Sequence, residues 1–171
     1  TRADWLATIL DSPVDARSLA DVLRETDVQL RCEPGRSLMD GCGITVARVE
    51  FRKQNAAGDW LIGLSMNRTQ CRTSSDDFLV DPILIPMAHR DNESMSGYLV
   101  GAYCTESELL SLRRLHFPKG IRRGDLVVFP NTAGYLMHFL ESRSHQFPLA
   151  KNVVASAVDQ AGFTLDPIDI H

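Results

Sequence analysis

Hydrophobic positions along this chain change their period near residue 43. Before that point they fall at helical spacing. Trp5 to Leu10 is an apolar stretch, and Asp15 can cap a helix from Ala16 to Glu25 whose Leu19, Val22 and Leu23 share one face. The run Val28 to Cys32 then reads as a short strand, and Ser37 to Cys42 as a short helix. After residue 43 the pattern alternates. Ile44 to Phe51 sets branched or aromatic residues against small or charged ones, which predicts a half-buried strand. Asn55 to Asp59 is a turn, and Trp60 to Met66 returns antiparallel to it. Phe78 to Pro86 is extended, and its two prolines, Pro82 and Pro86, confine it to an edge. His89 to Ser96 reads as a polar loop, and Gly97 to Tyr103 as a strand followed by a short helical pattern at Glu106 to Leu110. Lys119 to Asp125 forms a basic turn into the buried strand Leu126 to Phe129. Asn131 can cap a short helix carrying Gly134, Tyr135 and His138, Ser142 to Pro148 is loop, and Asn152 to Val158 is the last ordered segment before an acidic tail.

Helix, brief loop, strand and then polar residues at the strand's carboxyl end is the order of an α/β barrel or an open parallel sheet. Residues 1–36 read as the last unit of such an assembly. One unit cannot close a barrel, so the other strands are expected upstream in a longer precursor or in another chain, leaving apolar surface on residues 1–30 poorly covered. The chain starts with Thr1 rather than Met, in keeping with a fragment or a processed product. The remaining residues make a mainly antiparallel β domain. The expected division is therefore 1–42, the end of a barrel, and 43–171, the β domain, an α+β chain dominated by an antiparallel barrel or sandwich.

Composition adds little beyond exclusions. With 171 residues, 44% hydrophobic and 23% charged, the chain resembles an ordinary globular protein. A net charge of −4 gives no electrostatic case for nucleic acid or an anionic membrane, and no apolar run approaches the length of a spanning helix. Small-molecule chemistry or protein partners fit better, and a cytoplasmic protein is the expectation. The cysteines, Cys32, Cys42, Cys71 and Cys104, include no CxxC pair, and the histidines show no ligand spacing, so no metal site is expected.

Four stretches could carry chemistry. In Cys32-Glu33-Pro34-Gly35-Arg36, proline extends the residue before it, glycine lets the backbone approach a neighbour, and arginine offers a planar fork for phosphate or carboxylate. This is either an anion site beside an acid or a turn with an incidental ion pair. Cys104, between a strand and a helical pattern, is either an acid or nucleophile favoured by a helix N-terminus or a small buried hydrophobe. Tyr135, beside Gly134, is either a phenol in a glycine-relieved turn or a core tyrosine. Met66 to Arg72 is either pocket lining or solvated loop.

Taken in order, Glu-Pro-Gly-Arg-Ser at 33–37, Val46 to Glu50, Gly-x-x-Cys at 101–104, Gly124-Asp125 and Ala133-Gly134-Tyr135 resemble the C-terminal part of fold type III pyridoxal-phosphate decarboxylases, the group containing diaminopimelate and ornithine decarboxylases. The resemblance covers about residues 15–155. It implies that Glu33 meets the cofactor's pyridine nitrogen, that Gly35 and Arg36 hold its phosphate with the Tyr135 hydroxyl nearby, and that the full-length enzyme is a homodimer. It also implies that the Cys104 loop reaches the partner's site, where Cys104 donates the proton that replaces carbon dioxide on the α-carbon. Thr105 and Glu106 would contact the substrate. Many members of the family carry an acid directly after the cysteine; Thr105 stands there instead, so lysine, ornithine or diaminopimelate in the usual pose is not the expected substrate. The family's Schiff-base lysine, stacking histidine and glycine-rich phosphate loop have no counterpart, and Lys53, Lys119 and Lys151 match none of them. This chain alone is therefore expected to be inactive. A racemase or other α-carbon enzyme on the same scaffold, or a non-catalytic binding β domain, are the alternatives.

Overall fold

A computed structural model describes residues 1–33, 35–71, 80–88, 93–133, 150–155 and 163–165, which separate into two compact units, 1–34 and 35–171. The first unit holds helix α1 (Arg2–Leu10), two-residue strands β1 (Pro13–Val14) and β2 (Arg17–Ser18), and helix α2 (Leu19–Glu25). The α2 cap is Ser18, not Asp15. The Ser18 hydroxyl accepts the Asp21 amide and holds the Asp21 carboxyl below the usual carboxylate range. Asp15 instead takes a positive φ of 56° in the turn between β1 and β2. No described side chain of residues 1–33 is fully buried, and Trp5 is 68% exposed.

Val28 to Cys32 does not form the expected strand; it is irregular and exposed. A strand needs a neighbour to take its backbone groups, and this unit supplies none along that stretch.

The second unit begins with the short helix α3 (Arg36–Met39) and is built on a six-stranded, nearly closed sheet. Its strands are β3 (Ile44–Gln54), β4 (Trp60–Leu64), β5 (Ile83–Ile85), β6 (Met95–Val100), β7 (Leu115–Phe117) and β8 (Leu126–Pro130), in the order β5-β8-β3-β4-β6-β7. Only the β4–β6 pair is parallel. The mainly antiparallel β domain read from the alternation is therefore present, with β5 as the proline-flanked edge. The strand β7 was not foreseen, because Leu115-His116-Phe117 is too short to show a period. Strands β9 (Val153–Ala155) and β10 (Phe163–Leu165) form a separate antiparallel pair.

Strand β3 organises the sheet because it has two partners along its length. Ile44–Arg48 pairs with β8, and Val49 to Gln54 pairs with β4, with an irregularity between Val49 and Phe51. There the turn before β8 docks on the bulge, the Val49 amide donating to the Asp125 carbonyl and the Gly124 amide to the Val49 carbonyl, both at 2.8 Å. Inward residues of β3 alternate as Thr45, Ala47 and Val49. They join Ile62, Leu99 and Phe129 in a core where each large aliphatic side chain contributes about 1.5–3 kcal/mol. Edge strands β5 and β7 are linked by Arg113, whose Nε donates to Asp81 Oδ1 at 3.1 Å, an exposed pair that adds little stability. A cleft of about 310 Å³ opens there, lined by Pro82, Leu84, Leu115 and Phe117.

The buried Asp125 carboxylate accepts the Arg122 amide at 2.7 Å and the Met87 amide at 3.2 Å, fastening the basic turn to the segment after β5. Asp125→Ala strands both donors and is expected to cost about 2–4 kcal/mol, read as a lower chemical-denaturation midpoint. An unchanged midpoint would show that these two bonds do not hold the turn.

Candidate active site

The loop carrying Cys104 leaves β6 at Gly101 and is fastened to the segment after β4. The Ala102 amide donates to the Met66 carbonyl at 2.9 Å, and the Gly101 amide to the Glu108 carbonyl at 2.9 Å. Asn67, fully buried, donates through Nδ2 to the Tyr103 hydroxyl at 3.4 Å. The Glu108 carboxylate, also buried, accepts the Arg68 amide on Oε1 at 2.8 Å. Between these ties Cys104, Thr105 and Glu106 are exposed, and the Thr105 hydroxyl bonds Ser107 at 2.9 Å. The arrangement presents an accessible thiol on a loop held from both sides.

The helix expected from Glu106 to Leu110 is not formed, so Cys104 gains no helix N-terminus. The amides of Leu110 and Ser111 donate to the Leu99 carbonyl, Val100 bridges Leu109, and Glu108 turns inward to Arg68. Sheet-like bonding to β6 takes the groups a helix would have used. Nor is Cys104 the buried hydrophobe of the bland alternative; that description fits Cys71.

The polar run Met66 to Arg72 is not a solvated loop where it is described. Asn67 caps a single 3-10 turn at Arg68–Gln70, its side chain accepting the Thr69 amide while Gln70 Oε1 accepts the Asn67 amide at 2.8 Å. Asn67, singled out only within the run Met66 to Arg72, and Glu108 are the residues whose part in the site the sequence reading did not foresee. The spacing of Asn67 and Gln70, a capping-box pattern, was the available signal for the first. Nothing local marked the second.

In the Glu-Pro-Gly-Arg turn, Glu33 is exposed and pairs with none of the described residues. Gly35 takes φ 39° and ψ −123°, a conformation open to glycine, and leads directly into Arg36 at the start of α3. Pro34, Gly134, Tyr135 and His138 lie outside the described residues. Asn131, just ahead of them and at φ 55°, ties the loop after α3 to the end of β8. Its Oδ1 accepts the Gly41 amide at 2.7 Å and its Nδ2 donates to Asp40 at 2.6 Å. The Thr132 amide donates to the Gly43 carbonyl, and Thr45 and Thr132 share a buried hydroxyl contact at 2.8 Å.

No family model matches the chain. It is 36% identical over 152 residues to an uncharacterised protein, y4yA, of Sinorhizobium fredii, across 86% of this chain and 33% of that protein. It is 30% identical over 129 residues to diaminopimelate decarboxylase of Vibrio cholerae, across 70% of this chain and 28% of the enzyme. The crystal structure of diaminopimelate decarboxylase from Helicobacter pylori, complexed with L-lysine, superposes with a TM-score of 0.64 at 17% identity, over 92% of this chain and 38% of that one. Carboxynorspermidine and arginine decarboxylases share the fold. The fold is thus that of fold type III decarboxylases. The chain resembles their C-terminal part, as its ordered motifs implied, and spans about a third of the length of the relatives it matches.

Gly101 allows the close packing of the Cys104 loop: a Cβ there would stand 2.0 Å from Glu108 Oε1 and 2.9 Å from the Met66 carbonyl oxygen. Gly101→Ala is expected to cost about 1–3 kcal/mol and to speed amide hydrogen exchange in residues 102–108. Exchange in that segment matching the wild type would contradict the packing described.

Proposed function

We propose that this chain is part of a pyridoxal-phosphate-dependent decarboxylase that removes the α-carboxylate of an amino acid or a modified amino acid. The observation that carries this reading is the braced loop presenting an exposed Cys104, in a chain with the fold of such enzymes. The identity with the Vibrio cholerae enzyme supports it from sequence. In this reading residues 1–42 end the cofactor-binding barrel and residues 43–171 form the C-terminal β domain.

Pyridoxal phosphate, when bound, supplies an electron sink that stabilises the charge left on the α-carbon as carbon dioxide departs. Glu33 would face the ring nitrogen and keep it protonated. Gly35 and Arg36 would hold the phosphate, with the Tyr135 hydroxyl as a further donor. The Cys104 thiol delivers a proton to the α-carbon, Thr105 and Glu106 border the substrate, and the loop serves the active site of a second subunit in a homodimer. The lysine that would hold the cofactor covalently has no match in this chain, so turnover requires the barrel. Relatives by fold take amino-acid-like or polyamine ligands, as the L-lysine, agmatine and norspermidine complexes record. Among the described residues no helix is long and apolar enough to cross a membrane, and the proposed setting is the cytoplasm.

The test uses the protein that includes the barrel, purified with pyridoxal phosphate and assayed for carbon dioxide release from a panel of amino acids. Release is expected from at least one, with kcat about 10²–10⁴-fold lower in Cys104→Ala. Absence of release from every amino acid, together with a protein that retains no cofactor, would overturn the reading.

A further inference from the structure

We infer that Arg68 is a specificity residue, selecting substrates whose distal end carries an anion, and specifically a second carboxylate. The inference rests on the decarboxylase reading of Cys104 and adds to it the chemical class of the substrate.

Residue 68 is held against the loop that bears Cys104 and Thr105. Its own amide donates to Glu108, the preceding Asn67 reaches the Tyr103 hydroxyl, and the Met66 carbonyl accepts Ala102. None of these ties uses the Arg68 guanidinium. Arg68 is half-buried, and its guanidinium has no hydrogen-bond or ion-pair partner among the described residues. Arg17, Arg24, Arg48, Arg113, Arg114 and Arg122 all meet carboxylates.

An arginine stays charged at any accessible pH, so partial burial without a counter-charge is unfavourable unless a ligand supplies one. The planar fork matches a carboxylate with two parallel hydrogen bonds. On the loop side, the residue after Cys104 is the neutral Thr105, whose hydroxyl is engaged by Ser107. Glu106 is exposed and does not pair with Arg68, and the Glu108 carboxylate receives the Arg68 amide rather than its guanidinium. Among the described residues nothing neutralises the Arg68 guanidinium, so a substrate ammonium would meet a cation here and a carboxylate an unused partner.

Two measurements test this. In the chain itself, Cys104 is alkylated with iodoacetate, an anion, or with iodoacetamide, its neutral counterpart, and the rate is read on the Cys104 peptide by mass spectrometry because Cys32 and Cys42 are also exposed. The iodoacetate-to-iodoacetamide rate ratio is expected to fall about threefold or more in Arg68→Ala and Arg68→Gln, and to stay unchanged in the control Arg123→Ala. An unchanged ratio in the Arg68 variants would show that this cation does not act at Cys104. In the barrel-containing protein with pyridoxal phosphate, kcat/KM is expected to favour 2-aminoadipate or glutamate over lysine and ornithine, with that preference reduced about tenfold or more in Arg68→Ala. Preference for a distal amine, or a carboxylate preference indifferent to Arg68, would overturn the inference while leaving the decarboxylase reading intact. Release of carbon dioxide from no substrate would defeat that reading and with it the substrate class, and the alkylation ratio would then decide alone whether Arg68 marks an anion site.

Discussion

The structure of residues 35–171 depends on one strand pairing with two different neighbours. Strand β3 gives its first half to β8 and its second half to β4, and the irregularity at Val49 and Phe51 lets it turn from one to the other. The two neighbours lie on opposite edges of β3, so this one strand joins the β5-β8 side of the sheet to the β4-β6-β7 side. The Gly124-Asp125 turn meets the displaced groups, which is why a glycine and a buried carboxylate stand together there. From this the near-closure of the sheet follows, and with it a core in which Val49, Ile62 and Leu99 are fully inside.

The candidate site uses the same device on a smaller scale. Loops leaving β4 and β6, the parallel pair, lie side by side because their parent strands do, so residues 66–70 and 101–108 can exchange polar contacts. A buried carboxylate on a backbone amide and a buried amide side chain on a phenol hydroxyl hold the second loop without covering its tip. Bonds within each loop and between the two tie their inner polar groups, and Cys104, Thr105 and Glu106 stay at the surface.

Much of this fold was legible because strands leave period-two alternation where one face is buried, as in Ile44 to Phe51, and short apolar runs where both are, as in Trp60 to Met66 and Leu126 to Phe129. All three ranges fall on strands, although β3 runs on to Gln54 and β8 to Pro130. The failures share a cause: a local pattern decided by distant partners. Val28 to Cys32 has strand composition but no neighbour to pair with. Glu106 to Leu110 has helical spacing, yet Glu108 faces inward to an amide 40 positions earlier in the chain. A charged residue at such spacing reads as solvent-facing, so its burial was invisible. The family resemblance, by contrast, was carried by short motifs in a fixed order, and the likeness in fold agrees with it.

We propose that Glu33 and Cys104 serve the two ends of one reaction, the ring that accepts the electrons and the carbon that receives the proton. An experimental structure of the barrel-containing protein with pyridoxal phosphate and an unreactive amino-acid analogue tests it most directly. The account predicts the Glu33 carboxylate within hydrogen-bond reach of the ring nitrogen, and the Cys104 Sγ from the neighbouring subunit beside the analogue's α-carbon. A ring nitrogen facing a neutral or cationic group, with the Cys104 loop remote from every cofactor, would contradict it.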